Sequence, residues 1–251
     1  MGIIPLRNSV KVVPSFYDLN MVIFGLQKSG KTSFLSGDKD CVTIACEPGS
    51  DFVASRPVEV KHFSTFGNVL KEMSVNPLDY SGIVIDTVDA LYQLCFDRVC
   101  EQRGVRYQPK NDYGRTHFEI AQFWEKSLQC AIDIAPLRFI SHSDIVPKTL
   151  VEDSGLEKEY QQIIQRFHGK KSRFLDATVN CVGYMSVRAS GTRVLSFAHT
   201  AYVAGGDRTG ILEKLGDIEL PKVPSEGFSH VAQLYQEKAQ EMGFEVTKRM
   251  K

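Results

Sequence analysis

Short, wholly apolar runs alternate along the chain with stretches whose apolar residues recur every three to four positions. Runs too short for helices and without strict alternation predict strands buried on both faces; the periodic stretches predict helices that cover them. The runs MVIF at 21–24, CVTIAC at 41–46, GIVID at 82–86 and LRFIS at 137–141 predict such strands, with a further one at 58–63. A short helix is expected near Lys31 to Leu35 and another around Phe66 to Met73. Val88, Leu91, Leu94, Cys95 and Val99 form a helical stripe that closes at Gly104, a C-terminal cap. Phe118, Ala121, Trp124, Leu128, Ala131 and Ile132 mark a long helix ended by Pro136. The segment from His142 to Arg173 is long and polar, with a hairpin expected between Lys148 and Ile164. The runs at 180–188 and 192–200, joined by Ala189 to Gly191, predict a terminal β-hairpin, and Phe228 to Met242 a surface helix. The alternation predicts an α/β fold, a mainly parallel sheet flanked by helices and followed by a C-terminal β-hairpin.

Composition narrows the class. With 251 residues, 43% hydrophobic and 24% charged, the chain is long enough to bury a large core without disulfides. Lys and Arg number 30, as do Asp and Glu, so any nucleic-acid contact must come from a local basic patch, not from net charge. No run approaches the roughly 20 apolar residues of a membrane span. The start lacks the apolar stretch of a signal peptide, and Leu6 and Arg7 fit a myristoylation signal poorly. Cys41, Cys46, Cys95, Cys100, Cys130 and Cys181 show no C-x-x-C pair, and most lie in apolar runs. That pattern predicts reduced thiols in a cytoplasmic protein.

One motif changes the picture. Gly25, Leu26, Gln27, Lys28, Ser29, Gly30, Lys31 and Thr32 fit G-x-x-x-x-G-K-[ST] at every fixed position, with Ser33 following. Glycines let a loop curl so that successive N–H groups converge on a phosphate. Lys31 is placed to reach the β- and γ-phosphates, and the Thr32 hydroxyl to ligate Mg²⁺. The strand before the loop and the helix after it supply the context this reading needs.

Two carboxylates suit the same chemistry. Asp86 ends the GIVID strand, where a P-loop protein carries the acid that supports Mg²⁺; a plain helix cap is the alternative. Asp89, in the first turn beyond, is accounted for by the helix dipole. Glu47 directly follows CVTIAC, where a carboxylate can orient the water that attacks the γ-phosphate or take its proton; a turn before Pro48 and Gly49 is the alternative.

The order of these segments resembles the RecA-type ATPase core. It resembles more closely the phage-encoded nucleotide-binding family that includes single-strand-annealing recombination ATPases, over about residues 19 to 220. The resemblance implies an N-terminal arm at 1–18, an ATPase domain at 19–220 and a tail with a surface helix at 221–251. It also implies ATP and Mg²⁺ as ligands. Glu47 takes the place of the catalytic glutamate, and His142, after LRFIS, that of the residue sensing the γ-phosphate. Hexameric relatives carry a lysine and an arginine after the terminal hairpin that reach a neighbour's nucleotide; here Arg208 is kept and Gly206 replaces the lysine.

By the same resemblance, two segments face single-stranded DNA. They carry Arg106, Tyr107, Lys110, Arg115, Lys148, Arg166, Lys170, Lys171 and Arg173, with Tyr160 and Phe167 for stacking. Asp112, Glu152, Asp153, Glu157 and Glu159 dilute that charge, and a solvated face is the plain alternative. The implied partners are single-stranded DNA, further copies of the chain in a ring or filament, and a single-strand-binding protein, in the host cytoplasm if phage-encoded. The rival functions are a nucleotide-dependent assembly or regulatory protein that never touches DNA, and a helicase-like motor.

Overall fold

The computed structural model describes residues 11–47, 56–76, 80–105, 112–151 and 157–247. Arg106, Tyr107, Lys110, Glu152, Asp153 and the turn at Pro48 and Gly49 lie outside the described residues, as does the side chain of Lys170. In chain order the strands are β1 (Val12–Val13), β2 (Met21–Gly25), β3 (Cys41–Ala45), β4 (Arg56–Glu59), β5 (Gly82–Asp86), β6 (Leu137–Val151), β7 (Glu157–Gln165), β8 (Cys181–Val187), β9 (Arg193–Ser196), β10 (Gly206–Asp207), β11 (Ile218–Glu219) and β12 (Glu245–Val246). The α-helices are α1 (Lys31–Leu35), α2 (Phe63–Val75), α3 (Val88–Gln102), α4 (Arg115–Ile132), α5 (Arg173–Thr178) and α6 (Gly227–Glu241).

The main sheet runs β11-β9-β8-β2-β6-β5-β3-β4. From β8 to β4 every pairing is parallel, whereas β8–β9 and β9–β11 are antiparallel, so the predicted terminal hairpin extends one edge. Both faces are covered, which explains why β2 and β3 are apolar runs buried at every position. Alternate residues part between two cores. Met21 and Ile23 join Phe34, Phe228, Val231 and Tyr235 on the α1/α6 face; Val22 joins Phe66, Leu91, Trp124 and Leu128 on the α2/α3/α4 face.

Several boundaries differ from the sequence expectation for identifiable reasons. β4 begins at Arg56 and stops at Glu59, because Phe63, Phe66, Leu70 and Met73 turn one buried face of a helix that starts at Phe63. In α4 the buried stripe is Thr116, Ile120, Trp124, Leu128 and Ala131. Phe118, expected inside, is 63% exposed, since Ile120 takes the place four residues before Trp124. The hairpin expected between Lys148 and Ile164 is longer and grows directly from the core. β6 leaves the sheet as a two-stranded arm, pairing with β7 from Ser143↔Gln165 to Val151↔Glu157. Nor is the last helix only a surface element: Phe228, Val231, Tyr235 and Ala239 are fully buried, with Phe228 ring-to-ring with Phe16 and Phe34. Among the described residues no helix is long and apolar enough to cross a membrane.

β6 lies between β2 and β5, which fixes the register of everything that follows. Gly25 pairs with His142 on β6, and Ile140 of the same strand pairs with Asp86 on β5. Asp86 in turn pairs with Ala45 at the end of β3, one residue before Cys46 and two before Glu47. The C-terminal ends of β2, β6, β5 and β3 therefore converge on one edge, the place where open parallel sheets bind ligands.

Candidate functional site

The loop at that edge is shaped by two glycines. A Cβ on Gly25 would lie 2.2 Å from the Met185 carbonyl oxygen, so a bare backbone is required where β2 meets β8. Gly30 has φ +100°, a left-handed conformation that favours glycine, and Lys28 between them is left-handed as well. Lys31 is 5% exposed. Its Nζ folds back over the loop and donates to the carbonyls of Gly25 (3.0 Å) and Leu26 (2.7 Å). Burial pushes its pKa down to about 8, partly offset by the negative charges of Asp86 and Glu47. The Ser29 hydroxyl is buried beside it with no hydrogen-bond partner.

Across the edge, the Thr32 hydroxyl donates to Asp86 Oδ2 at 2.8 Å. Burial raises the Asp86 pKa, and Glu47 adds to the rise; the Thr32 hydrogen bond, Lys31 and His142 oppose it. Two hard oxygen donors side by side suit Mg²⁺, which takes one or two protein oxygens and completes its shell with phosphate and water. No cluster of three or more His, Cys, Asp or Glu side chains among the described residues offers a rival metal cage.

Glu47 is held from two sides. Its Oε1 accepts from the Thr87 hydroxyl at 2.6 Å, and its Oε2 stands 3.4 Å from His142 Nε2. Thr87 does two jobs, because the same hydroxyl accepts from the Ala90 N–H as the N-cap of α3. His142 Nδ1 is buried without a partner. With its side chain 40% exposed, Glu47 reaches solvent, while Asp86 is half-buried. The pair is thus split into a half-buried acid beside Thr32 and a more open acid on fixed supports.

The family model described as AAA domain matches residues 18–209. The chain belongs to the AAA domain family. No curated protein matches it. This AAA domain is a P-loop NTPase with an α/β fold, and the segment from Gly25 to Thr32 carries the P-loop sequence pattern.

The other residues singled out from the sequence fall in different places. Arg208 stands at the opposite edge of the sheet in the AAA domain. Its N–H donates to the Asn180 carbonyl, and its guanidinium to the carbonyls of Ala177 (2.8 Å) and Asp176 (2.5 Å) at the end of α5. Arg166 pairs with Asp144 at 3.0 Å across the arm. Lys171 lies 3.8 Å from Asp89 and 4.9 Å over the Phe167 ring. Lys148 on the arm and Arg173 at the start of α5 are exposed. Phe167 is fully buried against Tyr92 and Trp124, so the base-stacking expected of it does not occur; its aromatic surface completes the core instead.

Thr87 and Ser141 were not singled out from the sequence, and Asp89 was assigned to the helix dipole alone. Ser141 donates to Asp89 Oδ2 at 3.0 Å and accepts from the Phe167 N–H, which ties the base of the arm to the first turn of α3. The Thr87 signal was legible: a Thr between a strand-ending Asp and a helical stripe is an N-cap. Nothing in the linear pattern pairs Ser141 with Asp89, 52 residues away.

Proposed function

We propose that this protein binds ATP with Mg²⁺ and hydrolyses it, as a RecA-like member of the AAA domain family. The observation that carries the reading is the convergence of Lys31, the Thr32–Asp86 pair and the braced Glu47 on one sheet edge. The loop N–H groups from Leu26 to Lys31 bind the phosphate chain. Lys31 exchanges its two carbonyl partners for phosphate oxygens, and its charge, destabilised by burial, is restored by the anion. Mg²⁺ beside Thr32 and Asp86 neutralises charge on the β- and γ-phosphates when bound. Glu47 orients a water molecule and takes its proton while the water oxygen bonds to the γ-phosphorus. The bridging P–O bond breaks, and its electron pair leaves with ADP. Thr87 and His142 hold the carboxylate in line, and His142, one hydrogen-bonded strand from Gly25, is set to respond to the γ-phosphate.

Glu47→Gln tests this reading. Nucleotide affinity is expected to persist and turnover to fall by roughly 10²-fold or more, because an amide cannot accept the water's proton. Equal turnover in both proteins would return Glu47 to the role of a turn residue.

The β6–β7 arm supports single-stranded DNA as the partner, because it grows from the strand that carries His142 and is braced to α3 through Ser141 and Asp89. Lys148 on the arm and Lys170, Lys171 and Arg173 beyond it are the candidate contacts, together with Arg166, which pairs with Asp144 in the free protein. Binding of a labelled oligonucleotide that falls steeply with salt, and that weakens when these residues become Ala, is the expected result. No binding with or without ATP favours the assembly or regulatory alternative, and directional unwinding of a forked duplex would favour a motor. Arg208 is too far from its own loop to act there, so a catalytic part for it needs a neighbouring copy in a ring or filament. Mixing Arg208→Ala with Lys31→Ala protein would then partly restore activity.

A further inference from the structure

Arg193 opens β9, on the flank of β2 away from Asp86 and Glu47, and its side chain reaches back onto the P-loop. A Cβ on Gly30 would lie 2.7 Å from its Nε, 2.9 Å from its Cδ and 3.7 Å from its Cζ. The guanidinium thus rests on the last glycine of the loop, in space that any side chain there would fill. Its Nε is buried and has no hydrogen-bond partner. Among the described residues no carboxylate lies within ion-pair distance of it, whereas Arg188 one turn away on the same hairpin pairs with both Asp217 and Glu219. An arginine stays charged at any pH a protein meets, and this one is half-buried with its Nε shut off from solvent and no counter-ion, which is costly. This one stands at a loop built to receive an anion.

We propose that Arg193 is a nucleotide ligand supplied by the same chain, gripping the diphosphate segment common to ATP and ADP. The proposal rests on the P-loop reading above and extends it to a residue outside the motif. The flank decides which phosphates. Asp86 and Glu47 serve the γ-phosphate end from the β5 and β3 side, and Arg193 approaches from the β8 and β9 side. Gly30 belongs to the stretch of N–H groups that cradles the α- and β-phosphates. A planar fork matches two phosphate oxygens, which a lysine cannot do. Because donor and loop share one chain, no second subunit is needed.

The test is calorimetric titration of the full chain with Mg·ATP and with Mg·ADP, for wild type, Arg193→Gln, Arg193→Lys and Lys31→Ala. Arg193→Gln keeps most of the stem and is expected to weaken ATP and ADP by the same factor, about tenfold or more. Arg193→Lys should fall between it and wild type, and both factors should not change with protein concentration. A folded Arg193→Gln protein with wild-type affinity for both nucleotides overturns the proposal, and so does a loss confined to ATP. If Arg193→Gln does not fold, Arg193→Lys decides: weaker binding of both nucleotides supports the fork, and unchanged affinity overturns it. If wild type binds while Lys31→Ala does not, an unaffected Arg193→Gln removes Arg193 alone and leaves the P-loop reading standing. If wild type binds neither nucleotide, the P-loop reading fails and takes this one with it.

Discussion

The two edges of the parallel sheet both bury positive charge, and they treat it in opposite ways. At the N-terminal edge, Arg138 on β6 is fully buried. It lies 2.8 Å from Asp38, donates to the Tyr17 carbonyl at 3.0 Å and covers the Phe228 ring at 4.4 Å. One guanidinium thereby ties the start of the chain, the strand ends and α6 together. At the C-terminal edge, Lys31 folds back on its own loop, Arg193 has no counter-ion among the described residues, and the Ser29 hydroxyl and His142 Nδ1 lack partners. Under the proposed function, the contrast separates charge placed for stability from charge held for a ligand. The Arg138–Asp38 pair offsets part of its own desolvation through opposite charge, although Arg138 Nε and Asp38 Oδ2 lack hydrogen-bond partners, whereas Arg193 has no opposite charge among the described residues to do so.

The largest expected effect breaks the open edge. Lys31→Ala should weaken ATP binding at least about a hundredfold, because the main cation on the β- and γ-phosphates is lost. The folded protein should be no less stable for it, since a buried charge is removed; calorimetry and a urea melt read the two quantities. The closed edge should respond the other way. Asp38→Ala strands Arg138 and is expected to cost about 3–5 kcal/mol of stability in urea unfolding. Replacing both partners, as Asp38→Leu with Arg138→Met, should recover much of that loss. A single variant as stable as wild type would show that the pair contributes nothing.

A smaller effect is expected beside the open edge, where packing and chemistry share one atom. Thr87→Val removes the hydrogen bond to Glu47 and the cap of α3 together. Turnover should fall by roughly tenfold, one hydrogen bond's share of positioning, with the Kd for ATP unchanged. Stability should drop by about 1 kcal/mol for the cap. Thr87→Ser, which keeps the hydroxyl, should restore both, and an unchanged turnover in Thr87→Val would show that Glu47 needs no such brace.

The smallest effect is a pH dependence at the open edge. Burial holds Lys31 at about 8, below the 10.5 of the unfolded chain. Between those values the unfolded state binds the proton more fully, so the Lys31 contribution to stability rises with pH across that window and is flat below it. Urea midpoints of nucleotide-free wild type minus those of Lys31→Met isolate this residue from the other groups titrating there. That difference should grow from pH 7.5 to pH 10, and a constant difference would mean that Lys31 is not desolvated.

Much of this site is contiguous, and for that reason it was legible. The P-loop spans eight consecutive residues, Asp86 ends a wholly apolar strand, and Glu47 directly follows another. Backbone curl and burial on both faces write themselves into composition over five to eight positions, and the sequence by itself determined the strands, the P-loop pattern and where its two candidate acids lie. What the tertiary structure alone decided lies in partnerships between distant segments. Insertion of β6 between β2 and β5 sets His142 opposite Gly25 and within reach of Glu47. Packing turned Phe167 inward, and the α5 carbonyls hold Arg208 at the far edge. Arg193 meets Gly30 only because β8 and β9 add to the flank of β2. A hydrophobic pattern records which face of an element is buried, but not which element covers it, and charges at the sheet edges take their meaning from that second choice.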